Sequence, residues 1–121
     1  MTNDDVDRIE ARLGVSLPSD YREFVIDYPT DLHADTYAHE IWNEPDPIID
    51  ATDRVRFGEN PEVRWPHEMI IIGDSGCGDY YCLDLSQLPS PIVCWNHEIS
   101  DFEHVASSIQ NWYQEVKEME T

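Results

Sequence analysis

Between Met69 and His97 the chain places three apolar segments in quick succession, with turn-forming residues between them. Met69 to Ile72 is a continuous apolar run ending in Gly73, the pattern of a strand buried on both faces. Asp79 to Ser86 alternates: Tyr81, Leu83 and Leu85 fall on one face, Tyr80, Cys82 and Asp84 on the other. Pro91 to His97 is the third segment, with Val93 and Trp95 sharing a face. Gly73 to Gly78 is a glycine-rich turn that joins the first two as a hairpin. Parallel strands need a crossover of about a dozen residues or more, so connections this short imply an antiparallel β-meander.

Helical spacing dominates both ends. Val6, Ile9 and Leu13 predict a helix over Asn3 to Leu13, capped by Gly14. Pro18 sits where a second helix begins, and Tyr21, Phe24, Val25 and Tyr28 continue it until Pro29. At the other end Ser100 and Glu103 read as a capping box. Phe102, Val105, Ala106, Ile109, Trp112, Tyr113 and Val116 then predict one long amphipathic helix. Residues 30–66 are punctuated by Pro45, Pro47, Pro61 and Pro66. They suggest a short strand near His39 to Trp42, while Ile48 to Phe57 suits a short helix or an extended segment. Because this stretch carries Trp42, Ile48, Ile49, Val55, Phe57 and Trp65, it belongs to the same core rather than to a linker. The expected fold class is α+β: an antiparallel-rich sheet, a β-meander in the C-terminal half, packed by two N-terminal helices and one C-terminal helix. Residues 1–121 are expected to form a single domain.

Charge bounds the function. Asp and Glu number 26 against 7 Lys and Arg, a net charge of -19. Nucleic acid is disfavoured as a partner, because phosphate binding needs clustered cations. A cationic protein partner is favoured, since such a field accelerates its approach. With 40% hydrophobic and 11% aromatic residues, the chain is too apolar for a disordered acidic tail. No apolar run reaches the roughly 18 residues of a membrane span. The polar start from Met1 to Asp5 is unlike a signal peptide, and the odd number of cysteines (Cys77, Cys82, Cys94) suits reducing conditions. A cytoplasmic location is therefore expected. No Lys or Arg occurs from Trp65 to Val116, and none between Glu23 and Asp53. Adaptation to high salt is the competing explanation; a concentrated acidic face argues for a partner and an even spread for salt.

Several residue groups invite a chemical reading. Gly73-Asp74-Ser75-Gly76 matches the surroundings of a serine-protease nucleophile, but the sequence supplies no base and orienter in a comparable setting. A tight turn accounts for it. Cys77, Cys82, Cys94 and His97 can be drawn as a zinc site, but Cys82 lies on a strand and Cys77 in the turn, and simple core packing is the preferred explanation. Asp74, Asp79 and Asp84 recur every five residues without the spacing of a calcium loop. Asp79 is placed to bond turn N–H groups. His97 is expected to anchor the turn into the last helix, with Glu98 near that helix's N-terminus. No catalytic residue, metal or cofactor is expected.

Three stretches together carry a family resemblance. Leu17-Pro18-x-x-Tyr21-x-x-Phe24 follows an N-terminal helix. Gly76-Cys77-Gly78-Asp79 opens the second strand, and Pro91-Ile92-Val93-Cys94-Trp95-Asn96-His97-Glu98 forms the third. The chain resembles the SUKH superfamily and its Smi/Knr-type family, which share these elements in this order, over about residues 5–115. Pro29-Thr30-Asp31 departs from the Gly that often follows the second helix there. The resemblance implies a SUKH-like α+β domain that binds rather than catalyses. It points to an immunity protein that neutralises a cationic, nuclease-type toxin of a polymorphic or contact-dependent system. The alternative is a regulatory scaffold of the cell-wall-regulator kind with no toxin partner, and a small hydrolase or metal enzyme built on the Gly73 to Asp84 turn is a third. Glu40, Trp42, Glu44, Asp46, Asp74 and Asp101 are the expected contacts with a basic partner, chosen by charge and loop position. Trp42 suits an acid-ringed surface or the core equally.

Overall fold

A computed structural model describes residues 1–28, 41–58, 64–75 and 78–120, with side chains to Glu118. Its element order is α1 (Asn3–Leu13), α2 (Ser19–Ile26), α3 (Pro45–Phe57), β1 (Met69–Asp74), β2 (Tyr80–Asp84), β3 (Ile92–Asn96), β4 (Asp101–Ala106) and α4 (Ile109–Glu120). The strands form one antiparallel sheet in the order β1-β2-β3-β4, so the fold is α+β with a meander in the C-terminal half.

α1 starts and stops where its residues dictate. Thr2 and Asp5 form a reciprocal capping box, and Gly14 closes the helix in the left-handed region at φ 67°. Val6, Ile9 and Leu13 are buried. α2 follows the extended Pro18 and buries Tyr21, Phe24 and Val25. α3 resolves the open choice over 48–57 in favour of helix. Pro45 and Pro47 sit in its first turn, where their missing N–H groups cost nothing, and Gly58 ends it. Of the expected strand near His39 to Trp42, His39 and Glu40 lie outside the described residues. Ile41 and Trp42 lie in no strand, although the Trp42 N–H donates to the Ile72 carbonyl at 3.0 Å.

The expected long C-terminal helix is corrected. Residues 101–106 form β4, paired with β3 from Asn96↔Asp101 to Ile92↔Ala106. The capping-box pair Ser100 and Glu103 therefore caps nothing: Ser100 is in the β3–β4 turn with φ 52°, and Glu103 is a strand residue. α4 begins after Ser108, whose Oγ accepts the Asn111 N–H at 3.2 Å and whose carbonyl accepts the Trp112 N–H at 3.1 Å. A six-residue window holding Phe102, Val105 and Ala106 satisfies either period. The row of N–H and C=O groups along β3 decides it, because an unpaired buried edge is costly.

The alternation in β2 separates two cores. On one face Tyr81, Leu83 and Leu85 join Ile70, Ile72 and Ile92 beneath α1, α2 and α4. Tyr81 and Trp112 stack with ring centroids 4.8 Å apart. On the other face Cys82, Met69, Ile71 and Val93 meet Ala51 and Val55 of α3, with Trp65, Tyr80, Trp95 and Phe102 around them. α3 also guards the free edge of β1. Thr52, fully buried, accepts the Ile71 N–H on Oγ1 at 3.0 Å. One residue along, at the bulge between Ile71 and Gly73, the Ile72 carbonyl takes the Trp42 N–H. Two outward-facing groups of an edge strand are thus satisfied within the molecule.

Candidate functional site

Arg8, Arg12, Arg22 and Arg56 of the helical half are held in internal contacts. Arg22 on α2 donates to Asn3 Oδ1 at 3.0 Å, Asp7 Oδ1 at 2.7 Å and Glu10 Oε1 at 3.0 Å, tying α2 to α1. Those carboxylates, Asp7 foremost, hold its guanidinium pKa above the ordinary value. Glu10 uses its other oxygen to accept the Leu17 N–H at 2.7 Å. Arg8 pairs with Asp46, and Arg12 lies 3.8 Å from Asp53, linking α1 to α3. Arg56 donates to the Leu13 carbonyl at 2.7 Å and the His67 carbonyl at 2.6 Å. It therefore caps the end of α1 and anchors the approach to β1. Burial lowers its pKa.

The sheet carries the opposite arrangement. From Trp65 to Val116 there is no Lys or Arg, while Glu68, Asp74, Asp79, Asp84, Glu98, Asp101 and Glu103 line the strands and their turns. The carboxylates are not evenly answered by cations: the basic groups sit on α1, α2 and α3, at Arg64, and at Lys117 near the end of α4, over the Tyr113 ring at 5.5 Å.

The expected contact residues fall into three sets. Glu40 lies outside the described residues. Trp42 is half-buried and touches both cores, so much of its ring is packing. Glu44 and Asp46 are exposed at the N-terminus of α3, Asp46 being the partner of Arg8. Asp74 ends β1 opposite Tyr80, and Asp101 starts β4 opposite Asn96, its carboxylate accepting the Phe102 N–H at 2.8 Å. The register runs Asp74↔Tyr80, Tyr80↔Trp95, Trp95↔Phe102. It therefore brings Asp74 and Asp101 to the same end of the sheet. Trp42 joins that end through its bond to Ile72.

The groups singled out for chemistry are placed as structural parts. Asp79 Oδ1 accepts the His97 N–H at 3.0 Å and stands 2.5 Å from the ring Nδ1. This latch closes the start of β2 against the end of β3. It holds the Asp79 carboxyl below its ordinary pKa, through the His97 ring first and its backbone second. Gly78 has φ 97°, and a Cβ there would lie 3.1 Å from the His97 ring, so the latch requires glycine on two counts. The Gly-x-Gly-Asp and His-Glu signals thus meet in one contact, His97 anchoring β3 to β2 rather than a turn into a helix. Glu98 is not near a helix start, since α4 begins at Ile109; its N–H is taken by Asn96 Oδ1 at 2.9 Å. Asp84 is buried and organises the next turn, accepting from the Ser86 N–H at 3.0 Å, Ser86 Oγ at 2.6 Å and Gln87 Nε2 at 3.1 Å. It sits at the opposite end of β2 from Asp79, so the three evenly spaced aspartates do not converge.

The described cysteines do not converge either. Cys82 pairs across the sheet with Val93, and Cys94 with Tyr81, which puts the two thiols on opposite faces. Burial raises the Cys82 pKa well above normal and pushes Cys94 to about 11, with Asp79 and Glu103 adding to the latter. Both shifts favour the neutral thiol over the nucleophilic thiolate. Cys77 lies outside the described residues. Among the described residues no three His, Cys, Asp or Glu side chains gather as a metal site. Nor is any helix among them long and apolar enough to cross a membrane.

The aromatic trio of Trp65, Trp95 and Phe102 went unnoticed in the sequence. Trp65–Trp95, Trp65–Phe102 and Trp95–Phe102 ring centroids are 5.5, 5.2 and 5.0 Å apart. The alternation of Val93 and Trp95 gave half the signal, but reading Phe102 as helical hid the rest. The trio, the latch and the acid-lined sheet stand within one stretch of the chain. No curated protein matches it in sequence. The model of the SMI1 / KNR4 family (SUKH-1) matches residues 1–115, a span that takes in α1 through most of α4, and the chain therefore belongs to that family.

Proposed function

We propose that this protein is a non-enzymatic binding protein of the immunity type, which neutralises a basic, nuclease-type toxin by occupying its phosphate-binding surface with carboxylates. One observation carries this reading. Arg8, Arg12, Arg22 and Arg56 are committed to carboxylates and main-chain carbonyls within the molecule, whereas the sheet and its turns present carboxylates with no Lys or Arg among them. Carboxylates outnumber cations in the helical half as well, so what favours a partner over salt adaptation is the absence of Lys and Arg from the sheet and not a shortage of acid elsewhere. Family membership supports a binding role of this kind. Asp74 and Asp101, at one end of the sheet, with Trp42, Glu44 and Asp46 beside α3, are the proposed contacts; Glu40 is retained with them on its sequence position. Inhibition of this kind needs no reaction, only a complementary field and a fitted surface. The location consistent with a nuclease toxin is the cytoplasm.

The test uses the effector domain encoded beside the gene. The protein is expected to block its toxicity on co-expression. Their association rate is expected to fall at least about tenfold as salt rises from roughly 0.01 M to 1 M, where the Debye length shrinks from about 30 Å to about 3 Å. Association indifferent to salt removes the electrostatic mechanism. A gene without a neighbouring effector favours the regulatory scaffold instead.

A further inference from the structure

The two edges of the sheet are treated differently. At β1 the outward Ile71 N–H and Ile72 carbonyl are taken by Thr52 and Trp42. β4 forms the other edge, and among the described residues no backbone group pairs with its outer side. Which groups point outward follows from the ladder. The Leu85 N–H runs to Glu68 on the β1 side, and the Asp84 N–H to Pro91 on the β3 side. Hydrogen bonding alternates from residue to residue across antiparallel strands. Asp101 and Glu103 therefore bond to Asn96 and Cys94, while the N–H and C=O groups of Phe102 and His104 turn away from β3. Accordingly, the Phe102 N–H is met by the carboxylate of its own neighbour Asp101, at 2.8 Å, rather than by β3.

The side chains of β4 alternate as well. Asp101 and Glu103 are exposed on one face, and Phe102, half-buried against Trp65 and Trp95, shares the other with His104. Among the described residues neither carboxylate is in an ion pair; Glu103 accepts the neutral Asn96 Nδ2 at 2.7 Å. The ladder shifts register only at the Ile92 end, so Asp101 to His104 is a regular stretch. A strand laid along this edge continues both faces. Every second side chain on it stands beside Asp101 and Glu103, and those between stand beside Phe102 and His104. Pairs of opposite charge, and of an aromatic with a β-branched residue, are favourable in such positions.

We propose that the outer edge of β4 accepts, as a fifth strand, an extended segment of a basic protein in which lysine or arginine alternates with apolar residues. Main-chain bonds to Phe102 and His104 supply the attachment, and the alternating side chains supply the selectivity. The incoming carbonyl takes the Phe102 N–H and releases the Asp101 carboxylate to the segment's cation. The proposal deepens the immunity reading and rests on it for the identity of the partner. A second copy of the chain is a poor occupant, because two bodies of net charge -19 repel each other.

Hydrogen exchange read amide by amide tests the edge, with a capped peptide alternating lysine with valine as the probe. It is expected to slow exchange at the Phe102 and His104 amides of the unaltered protein more than at Asp101 and Glu103, which already bond to β3. Two variants, each checked for retained fold by circular dichroism, separate charge from pairing. Asp101→Asn combined with Glu103→Gln should weaken the peptide roughly 2- to 30-fold, the span of two opposite-charge cross-strand pairs. His104→Pro removes an outward N–H, a position where an edge strand tolerates proline, and should weaken it about tenfold. No slowing at Phe102 and His104, unchanged affinity in either folded variant, or equal binding of a peptide alternating glutamate with valine overturns the proposal. The neighbouring effector domain then separates the edge from the function. Neutralisation by the wild type and by both variants alike overturns the edge and leaves the immunity role standing. Failure of the wild type to neutralise, with the lysine peptide still protecting Phe102 and His104, removes the immunity role and leaves the strand-accepting edge.

Discussion

The helical half and the sheet use charge in opposite ways. In α1, α2 and α3 each well-placed arginine works as a fastener: Arg22 across α1 and α2, Arg8 and Arg12 across α1 and α3, Arg56 between two chain segments. In the sheet, carboxylates fasten to backbone N–H groups and one histidine instead: Asp79 to His97, Asp84 to Ser86, Asp101 to Phe102. A carboxylate bound to N–H groups is satisfied without being neutralised. The sheet therefore keeps its carboxylates unanswered by Lys or Arg, while in the helices Asp7, Glu10, Asp46 and Asp53 are answered by arginine and the remaining acids keep that half negative too. The difference teaches that the few cations of this molecule are spent as fasteners between helices and that none is spent on the sheet.

Cutting the hydrophobic layer that both halves share tests the comparison hardest. Ile70→Ala removes a fully buried side chain between β1 and the helices, and should destabilise the fold by about 2–5 kcal/mol in chemical denaturation. Removing a fastener from the helical half comes next. Arg56→Ala frees the Leu13 and His67 carbonyls together and should lower stability by about 2 kcal/mol, by the same measurement. A loss near zero would mean that the arginines there are not the glue described. The smallest effect belongs to the sheet's latch, and it depends on pH. Because Asp79 titrates below its ordinary value of 3.8 when folded, its contribution is complete above that value and is lost as pH falls below it. The melting temperatures of the wild type and Asp79→Asn should therefore differ at neutral pH and converge in strong acid. A gap that persists in acid would show that the latch is not held by the carboxylate's charge.

The two halves also differed in how plainly their residues announced them. α1 was legible to the residue, since capping and apolar spacing agree within eleven residues and nothing distant competes. The three strands of the meander were legible for a related reason: the alternation in β2 matches the two cores it separates. β4 was not. Phe102, Val105 and Ala106 suit two periods, and Ser100 with Glu103 mimics a cap, so local sequence favoured the wrong element. Of the candidate contacts, the gathering of Asp74 and Asp101 at one sheet end could not be read from positions 27 residues apart, because strand register brings them together. Nor was it legible that Asp79 and His97 form one contact, or that Trp65 lies on Trp95 and Phe102.

Local periodicity, capping residues and the absence of cations from 65 to 116 were settled by the sequence itself, because each depends on neighbours within a few residues or on composition. Three matters waited for tertiary structure: whether 101–106 became a strand, which edge Thr52 guards, and which aromatic rings pack together. The physical reason is common to all three. An edge strand's unpaired N–H and C=O groups must find partners, and which residues supply them depends on what the rest of the chain brings alongside.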